Sequence, residues 1–274
     1  MAACCCAIAS GCGSSTASSG REQIVASFYP LAFAAQEIGG TRVDVTDLTP
    51  AGAEPHDLEV SPKDVARLRS ADLVVLLGRG FQPQVEDAAG HGKRVLRLLD
   101  TPGLHVHADD DPHVWLDPLR YAVLVRRMGA ALGARAGTRR LVARLHRLDR
   151  EFRRGLADCR RREVITSHEA FAYLAERYHL EQVAITGLNP EAEPSPGALN
   201  RVIAAVRATG ATTVFTETLV SPRLARTVAR EAHATTAVLN PIEGLTDAQA
   251  GARETYFSLM RADLAALRTA LGCR

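Results

Sequence analysis

From Ile24 onward the chain alternates short β-branched runs with segments of helical character, and no other feature restricts its fold as strongly. Ile24 to Ser27, Val43 to Leu48, Leu73 to Leu77, Val164 to Thr166, Thr213 to Thr216 and Thr236 to Leu239 read as strands. Leu31 to Ile38, Pro62 to Arg69, Pro118 to Leu132, Ala170 to Tyr178, Ala198 to Thr209 and Pro222 to Ala232 read as helices. A strand that returns through a helix pairs in parallel, so the pattern predicts α/β architecture with parallel sheets covered by helices. In Ser61-Pro62, Asp117-Pro118 and Ser221-Pro222 a capping oxygen precedes a Pro suited to the first helical position. At about 150 residues per domain, the 274 residues suffice for two such units.

Between the two strand-rich halves, Leu141, Leu145, Leu148, Phe152 and Leu156 recur at three- and four-residue intervals within Thr138 to Cys159. That spacing predicts a single amphipathic helix roughly 30 Å long at 1.5 Å per residue. On periodicity alone it is either a connector beside both units or an ordinary surface helix of one. Gly129, Gly133 and Gly137 predict a break before it.

Composition narrows the function classes. The longest apolar run of the body, Leu73 to Leu77, is far short of the roughly 18 to 20 residues of a membrane-spanning helix. A net charge of +2, from 33 basic and 31 acidic residues, supplies no global field of the kind that drives nucleic-acid binding. The basic residues are nearly all Arg, with Lys only at 63 and 93, a bias read as genomic composition. Four of the six Cys (Cys4, Cys5, Cys6 and Cys12) precede a Ser-rich stretch, leaving Cys159 and Cys273 in the body. Ala9-Ser10-Gly11-Cys12 resembles the end of a bacterial lipoprotein signal, which makes Cys12 the expected lipid anchor and residues 1–20 a leader and tether.

Several catalytic motifs are missing: no Gly-x-Ser-x-Gly elbow, no phosphate loop, no complete dinucleotide fingerprint, and no second His four residues after His168. What remains is a set of His and carboxylate residues that follow strands or precede helices. His56 lies in Glu54-Pro55-His56-Asp57, His113 in Asp111-Pro112-His113-Val114-Trp115, His168 directly after a strand, and Glu243 in Asn240-Pro241-Ile242-Glu243-Gly244. Open α/β sheets bind ligands beyond the carboxyl ends of their strands, so these groups can converge despite their separation in sequence. Three imidazoles and a carboxylate suit a four-coordinate divalent metal, Zn2+ first and Mn2+ second.

Taken in order, Val25-Ala26-Ser27-Phe28-Tyr29-Pro30-Leu31, Glu54-Pro55-His56-Asp57, Asp111-Pro112-His113-Val114-Trp115-Leu116-Asp117-Pro118, Thr166-Ser167-His168-Glu169-Ala170-Phe171, Phe215-Thr216-Glu217 and Leu239-Asn240-Pro241-Ile242-Glu243-Gly244-Leu245 carry a family resemblance. Over nearly all of residues 24–272 the chain resembles the zinc- and manganese-binding solute-binding proteins of bacterial metal ABC transporters. The resemblance implies two pseudo-symmetric α/β lobes, at 21–137 and 161–274, joined by one long rigid helix at 138–160, with the metal site between them. It implies His56, His113 and His168 as ligands and Glu243 as the fourth, with Glu54 or a water as the alternative, and Glu217 as a structural partner. His at the third ligand position accompanies zinc in this family, and a carboxylate there accompanies manganese.

The function implied is an extracytoplasmic, membrane-anchored or periplasmic monomer that hands metal to an ABC permease and is not an enzyme. A zinc hydrolase using Glu169 or Glu217 as general base is the competing class. Some members of the family are described as adhesins, and no stretch of this sequence speaks to that role. The family's His- and acid-rich loop has only a short counterpart here, in His105-Val106-His107-Ala108-Asp109-Asp110-Asp111 with His91 further back. Outside the cytosol, Cys159 and Cys273 are placed to close a loop of more than 100 residues.

Overall fold

The structure is a computed structural model that describes residues 20–91, 94–108 and 110–274. Cys12 and the leader expected at 1–20 lie outside the described residues except for Gly20. Among the described residues, eight strands form two separate four-stranded sheets, all parallel. The first contains β1 (Glu22–Ala26), β2 (Val43–Asp47), β3 (Leu73–Leu76) and β4 (Val95–Arg97) in the order β2-β1-β3-β4. The second contains β5 (Glu163–Thr166), β6 (Glu181–Ala184), β7 (Thr213–Thr216) and β8 (Thr235–Val238) in the order β6-β5-β7-β8. The two orders are the same, so each half is one copy of a single winding and its strand ends open on equivalent sides.

Two strands escaped the sequence pattern. β4 is three residues long and β6 reads Glu-Gln-Val-Ala. Both pair on one side only, and edge strands do without the doubly buried β-branched run that marks a central strand. The helices α1 (Tyr29–Gly39), α2 (Pro62–Ser70), α4 (Pro118–Ala131), α6 (Ala172–Tyr178), α7 (Pro196–Thr209) and α8 (Arg223–Glu231) match the expected segments to within two residues at each end. The short α3 (Pro83–Ala89) and α9 (Asp247–Gly251) and the longer α10 (Tyr256–Leu271) complete the set. Ser61 and Asp117 cap α2 and α4 as expected, accepting from the backbone of Asp64 at 3.3 Å and of Leu119 at 2.9 Å. Ser221 does not cap α8, because Pro222 itself occupies the capping position.

The long amphipathic segment is α5 (Arg135–Gly155), whose Leu141, Leu145, Leu148 and Phe152 are fully buried. These side chains meet α1 and α4 of the first half and α10 of the second, so α5 is the connector rather than a surface helix of one lobe. Of the three glycines before it, only Gly133, at φ +58, marks the break. Gly129 lies inside α4 and Gly137 inside α5, where an added Cβ would collide with Thr138 and with the Ile38 carbonyl, so both permit close helix packing. Alternation along the strands sorts side chains into layers. Ile24, Ala26 and Val164 join one continuous core that also takes in α5, while Val25 and Ile165 point into the outer core of their own half.

Polar contacts reinforce this joint. Asp117, fully buried at the start of α4, receives Arg177 of α6 through Nε at 2.9 Å to both oxygens and Nη2 at 2.6 Å. A buried, bidentate pair of this kind holds direction as well as distance. Cys159, just past α5, is bonded to Cys273, just past α10, across a separation of 114 residues. Closing so long a loop restricts the unfolded chain, and reduction or Cys273→Ser is expected to lower the unfolding free energy by about 2 to 4 kcal/mol. Guanidinium titration with and without reductant checks this, and coincident curves would contradict it.

Candidate metal site

Four chain segments leave the carboxyl ends of the two sheets and meet in the seam between them. His56 comes from the loop after β2, His113 from the segment after β4, His168 from two residues beyond β5 and Glu243 from the turn after β8. Their donor atoms all lie within 4.8 Å of one another, and among the described residues this is the one such group. Glu243 Oε1 stands 3.2 Å from His56 Nε2, 2.9 Å from His113 Nε2 and 3.4 Å from His168 Nε2, with 3.3 Å between the latter two nitrogens. Tetrahedral ligands at about 2.0 to 2.1 Å from zinc are separated by roughly 3.3 Å. Glu243 and the two buried imidazoles, within 3.4 Å of one another, already have nearly the spacing of a tetrahedral shell.

Two of the three imidazoles are oriented from behind. Asp111 Oδ1 accepts from the backbone N–H of His113 at 3.0 Å and faces its Nδ1 at 2.7 Å. Glu217 does the same for His168, accepting from its backbone N–H at 3.1 Å and facing Nδ1 at 2.8 Å. A carboxylate can only accept, so Nδ1 carries a proton and Nε2 is the nitrogen left pointing inward. Two Nε2 atoms and a carboxylate oxygen aimed at one point share protons unless a cation displaces them. His56 is held differently: its backbone donates to Glu54 Oε1 at 3.1 Å and its ring packs edge-on to Phe81 at 4.8 Å.

The Glu243 turn is built with equal care. Ile242 adopts φ +57, a left-handed conformation costly for a β-branched residue. Asn240 supports it by accepting from Ile242 N–H at 2.8 Å, while Asn240 itself donates its backbone N–H to buried Asp263 at 2.8 Å. Trp115 Nε1 donates to the Pro241 carbonyl at 2.8 Å and Tyr256 donates to the Trp115 carbonyl at 2.7 Å, tying the turn to the first half.

Burial and charge act together here. The side chains of His113, His168 and Glu243 are at most 1% exposed and that of His56 is 10% exposed. Burial alone would raise Glu243 and lower the imidazoles. Hydrogen bonds from His113, His168 and His56 instead hold Glu243 well below the usual carboxylate range. For His168, burial works downward but the bonds to Glu217 and Glu243 prevail and push it up to about 10; His113 is raised in the same way by Asp111 and Glu243. The second oxygen of Glu243 is buried without a hydrogen-bond partner, a cost that a bound cation would remove. His56 borders a surface opening of about 340 Å³ also lined by Arg79, Phe81 and Asn189, so it stands on the entry side.

All four expected residues are thus brought together. Glu54, the alternative fourth donor, lies beside the cluster but is not part of it. Its Oε1 is engaged by His56, and burial together with the Glu243 charge pushes it up to about 8. Glu217 is engaged with His168 and Glu169 is exposed. Among its described residues, the short acidic loop contributes no donor to the cluster: His107 stacks on Tyr173 at 4.0 Å and faces Glu176 at 3.3 Å, while His105 and His91 are exposed. Sequence reading missed the work of Asp111, Asn240 and Asp263. The signal for Asp111 was present, since Asp two residues before a given position readily accepts from its backbone N–H.

Residues 24–270 match the family model described as "Zinc-uptake complex component A periplasmic". The chain belongs to this family. It is 32% identical to the zinc-binding lipoprotein AdcA of Streptococcus pneumoniae, an alignment covering 98% of this chain and 59% of that protein. To the high-affinity zinc uptake system protein ZnuA of Bacillus subtilis it is 30% identical, over 94% of this chain and 90% of that protein. The Zn(II)-bound ZnuA-like domain of Streptococcus pneumoniae AdcA superposes with a TM-score of 0.79 at 33% identity, over 92% of this chain and 99% of that domain. The chain spans 56% to 59% of the length of the AdcA relatives it matches.

Carboxylates that orient metal-bound imidazoles typically govern affinity by about 10- to 100-fold. Glu217→Ala is accordingly expected to weaken zinc binding by that factor while leaving the fold intact. Chelator-competition titration of the variant checks it, and parental affinity would show that Glu217 merely fills space.

Proposed function

We propose that this protein is the extracytoplasmic binding component of an ABC importer, capturing Zn2+ with His56, His113, His168 and Glu243 and delivering it to a membrane permease. The observation that carries this reading is the convergence of two carboxylate-oriented imidazole nitrogens on Glu243 in a buried, four-donor cluster. Three nitrogen donors and a single oxygen favour zinc over manganese, which suits harder oxygen sets. The zinc-uptake description of the family and the zinc-binding names of its relatives point the same way. A lipoprotein relative and the periplasmic family description support a location outside the cytoplasm, anchored through Cys12.

Binding rather than hydrolysis is favoured by the donor count. A catalytic zinc keeps one position for water beside a general base, whereas here four protein donors surround the point and Glu217 is already engaged by His168. Capture at His56, the donor nearest solvent, followed by closure on the other three gives an order of entry. The continuous core and α5 limit hinge motion, so release proceeds by small movements of the His56 and His113 segments.

One zinc per chain is expected by calorimetry, and His168→Ala is expected to abolish tight binding; undiminished affinity in that variant would refute the site. Acidity opposes capture, because bound imidazoles must be neutral at the metal-facing nitrogen. With His168 raised to about 10, a proton must leave as metal enters at neutral pH. Affinity therefore falls as pH drops, by about tenfold per unit for each proton displaced. Zinc titrations in a series of buffers check the slope, and a flat profile would contradict it.

A further inference from the structure

The solvent face of α5 carries charge that the metal site does not use. Arg135, Arg139, Arg140, Arg147, Arg150 and Arg154 are all exposed, and none has an ion-pair partner among the described residues. At 100° per residue the last five fall within about 100° of one another, opposite Leu141, Leu145, Leu148 and Phe152. The helix's own acids make their ion pairs outside the stripe, Asp149 with Arg153 and Glu151 with Arg261, and Glu151 feels Arg147 and Arg154 only through space. From Arg139 to Arg154 the stripe runs roughly 22 Å. At its start Arg126, Arg135, Arg139 and Thr138 line a groove of about 490 Å³ over Gly129 and Gly133. A preference for Arg over Lys explains the residue type; it does not explain why unpaired charge gathers on one helix of a chain whose net charge is only +2.

We infer that this face of α5 docks on a lipid surface bearing anionic phosphate headgroups. Guanidinium groups bind phosphate oxygens in a bidentate fork, and basic side chains near an anionic membrane act additively. A flat, straight helical face matches an extended surface, and the groove at its start accepts a single headgroup. The choice of a membrane over another polyanion rests on the lipid-anchored location proposed above, which would hold the stripe at high effective concentration beside headgroups.

The test uses the full chain without acylation, so that attachment reports the stripe alone. It is expected to sediment with vesicles of equimolar phosphatidylglycerol and phosphatidylcholine, to stay in solution with pure phosphatidylcholine, and to be released by salt. Changing Arg139, Arg147, Arg150 and Arg154 together to Gln is expected to reduce partitioning by more than about tenfold, whereas Lys at the same four positions retains most of it. Equal sedimentation with both vesicle types, an unchanged Gln variant, or retention on an anionic polysaccharide without vesicle binding would overturn the proposal. Zinc stoichiometry and melting temperature measured on the same samples separate its failure from failure of the metal reading or of folding.

Discussion

Four donor atoms within 4.8 Å of one another come from loops of two separate sheets, so the site exists only while the two halves keep one relative position. The apolar core that runs through both halves and α5 supplies most of that constraint. Arg177 on Asp117 and the Trp115 to Pro241 hydrogen bond add direction at the seam itself. A core of this kind resists wide opening because its packing is dense and tolerates few voids. Any opening of the cluster is thereby pushed onto the loops, and His56, 10% exposed, is the member of the cluster nearest solvent.

The second constraint is electrostatic. A carboxylate buried with its second oxygen unpartnered is expensive on its own, as are imidazoles removed from water. Here each cost offsets another: the imidazoles stabilise Glu243, and Asp111 and Glu217 stabilise the imidazoles from behind. The same two carboxylates decide which ring nitrogen faces the cluster. They thereby convert generic histidines into donors of fixed direction.

Much of this was legible in the sequence because it is local. Proline after Ser or Asp marks helix starts through φ and a capping oxygen, and α2 and α4 begin where those pairs stand. β-branched runs announce a strand, which is why β1, β3, β5 and β7 and also the edge strands β2 and β8 were readable, while the edge strands β4 and β6, short or poor in such residues, were not. Pattern also led astray where one residue type serves two purposes. Gly129 and Gly137 looked like helix breakers and are close-packing positions inside α4 and α5, a distinction that depends on what lies across the interface.

By itself, the sequence determined the α/β alternation, the amphipathic character of α5 and the local motifs that carry the three histidines, since each depends on neighbours a few positions apart. Only the tertiary structure decided that α5 serves both halves, that Cys273 reaches Cys159, and that Glu243 rather than Glu54 completes the cluster. These outcomes turn on distances between segments far apart in the chain. Glu54 and Glu243 offer the same carboxylate, and what separates them is where the Asn240–Asp263 hydrogen bond and the left-handed Ile242 aim one of them across the seam.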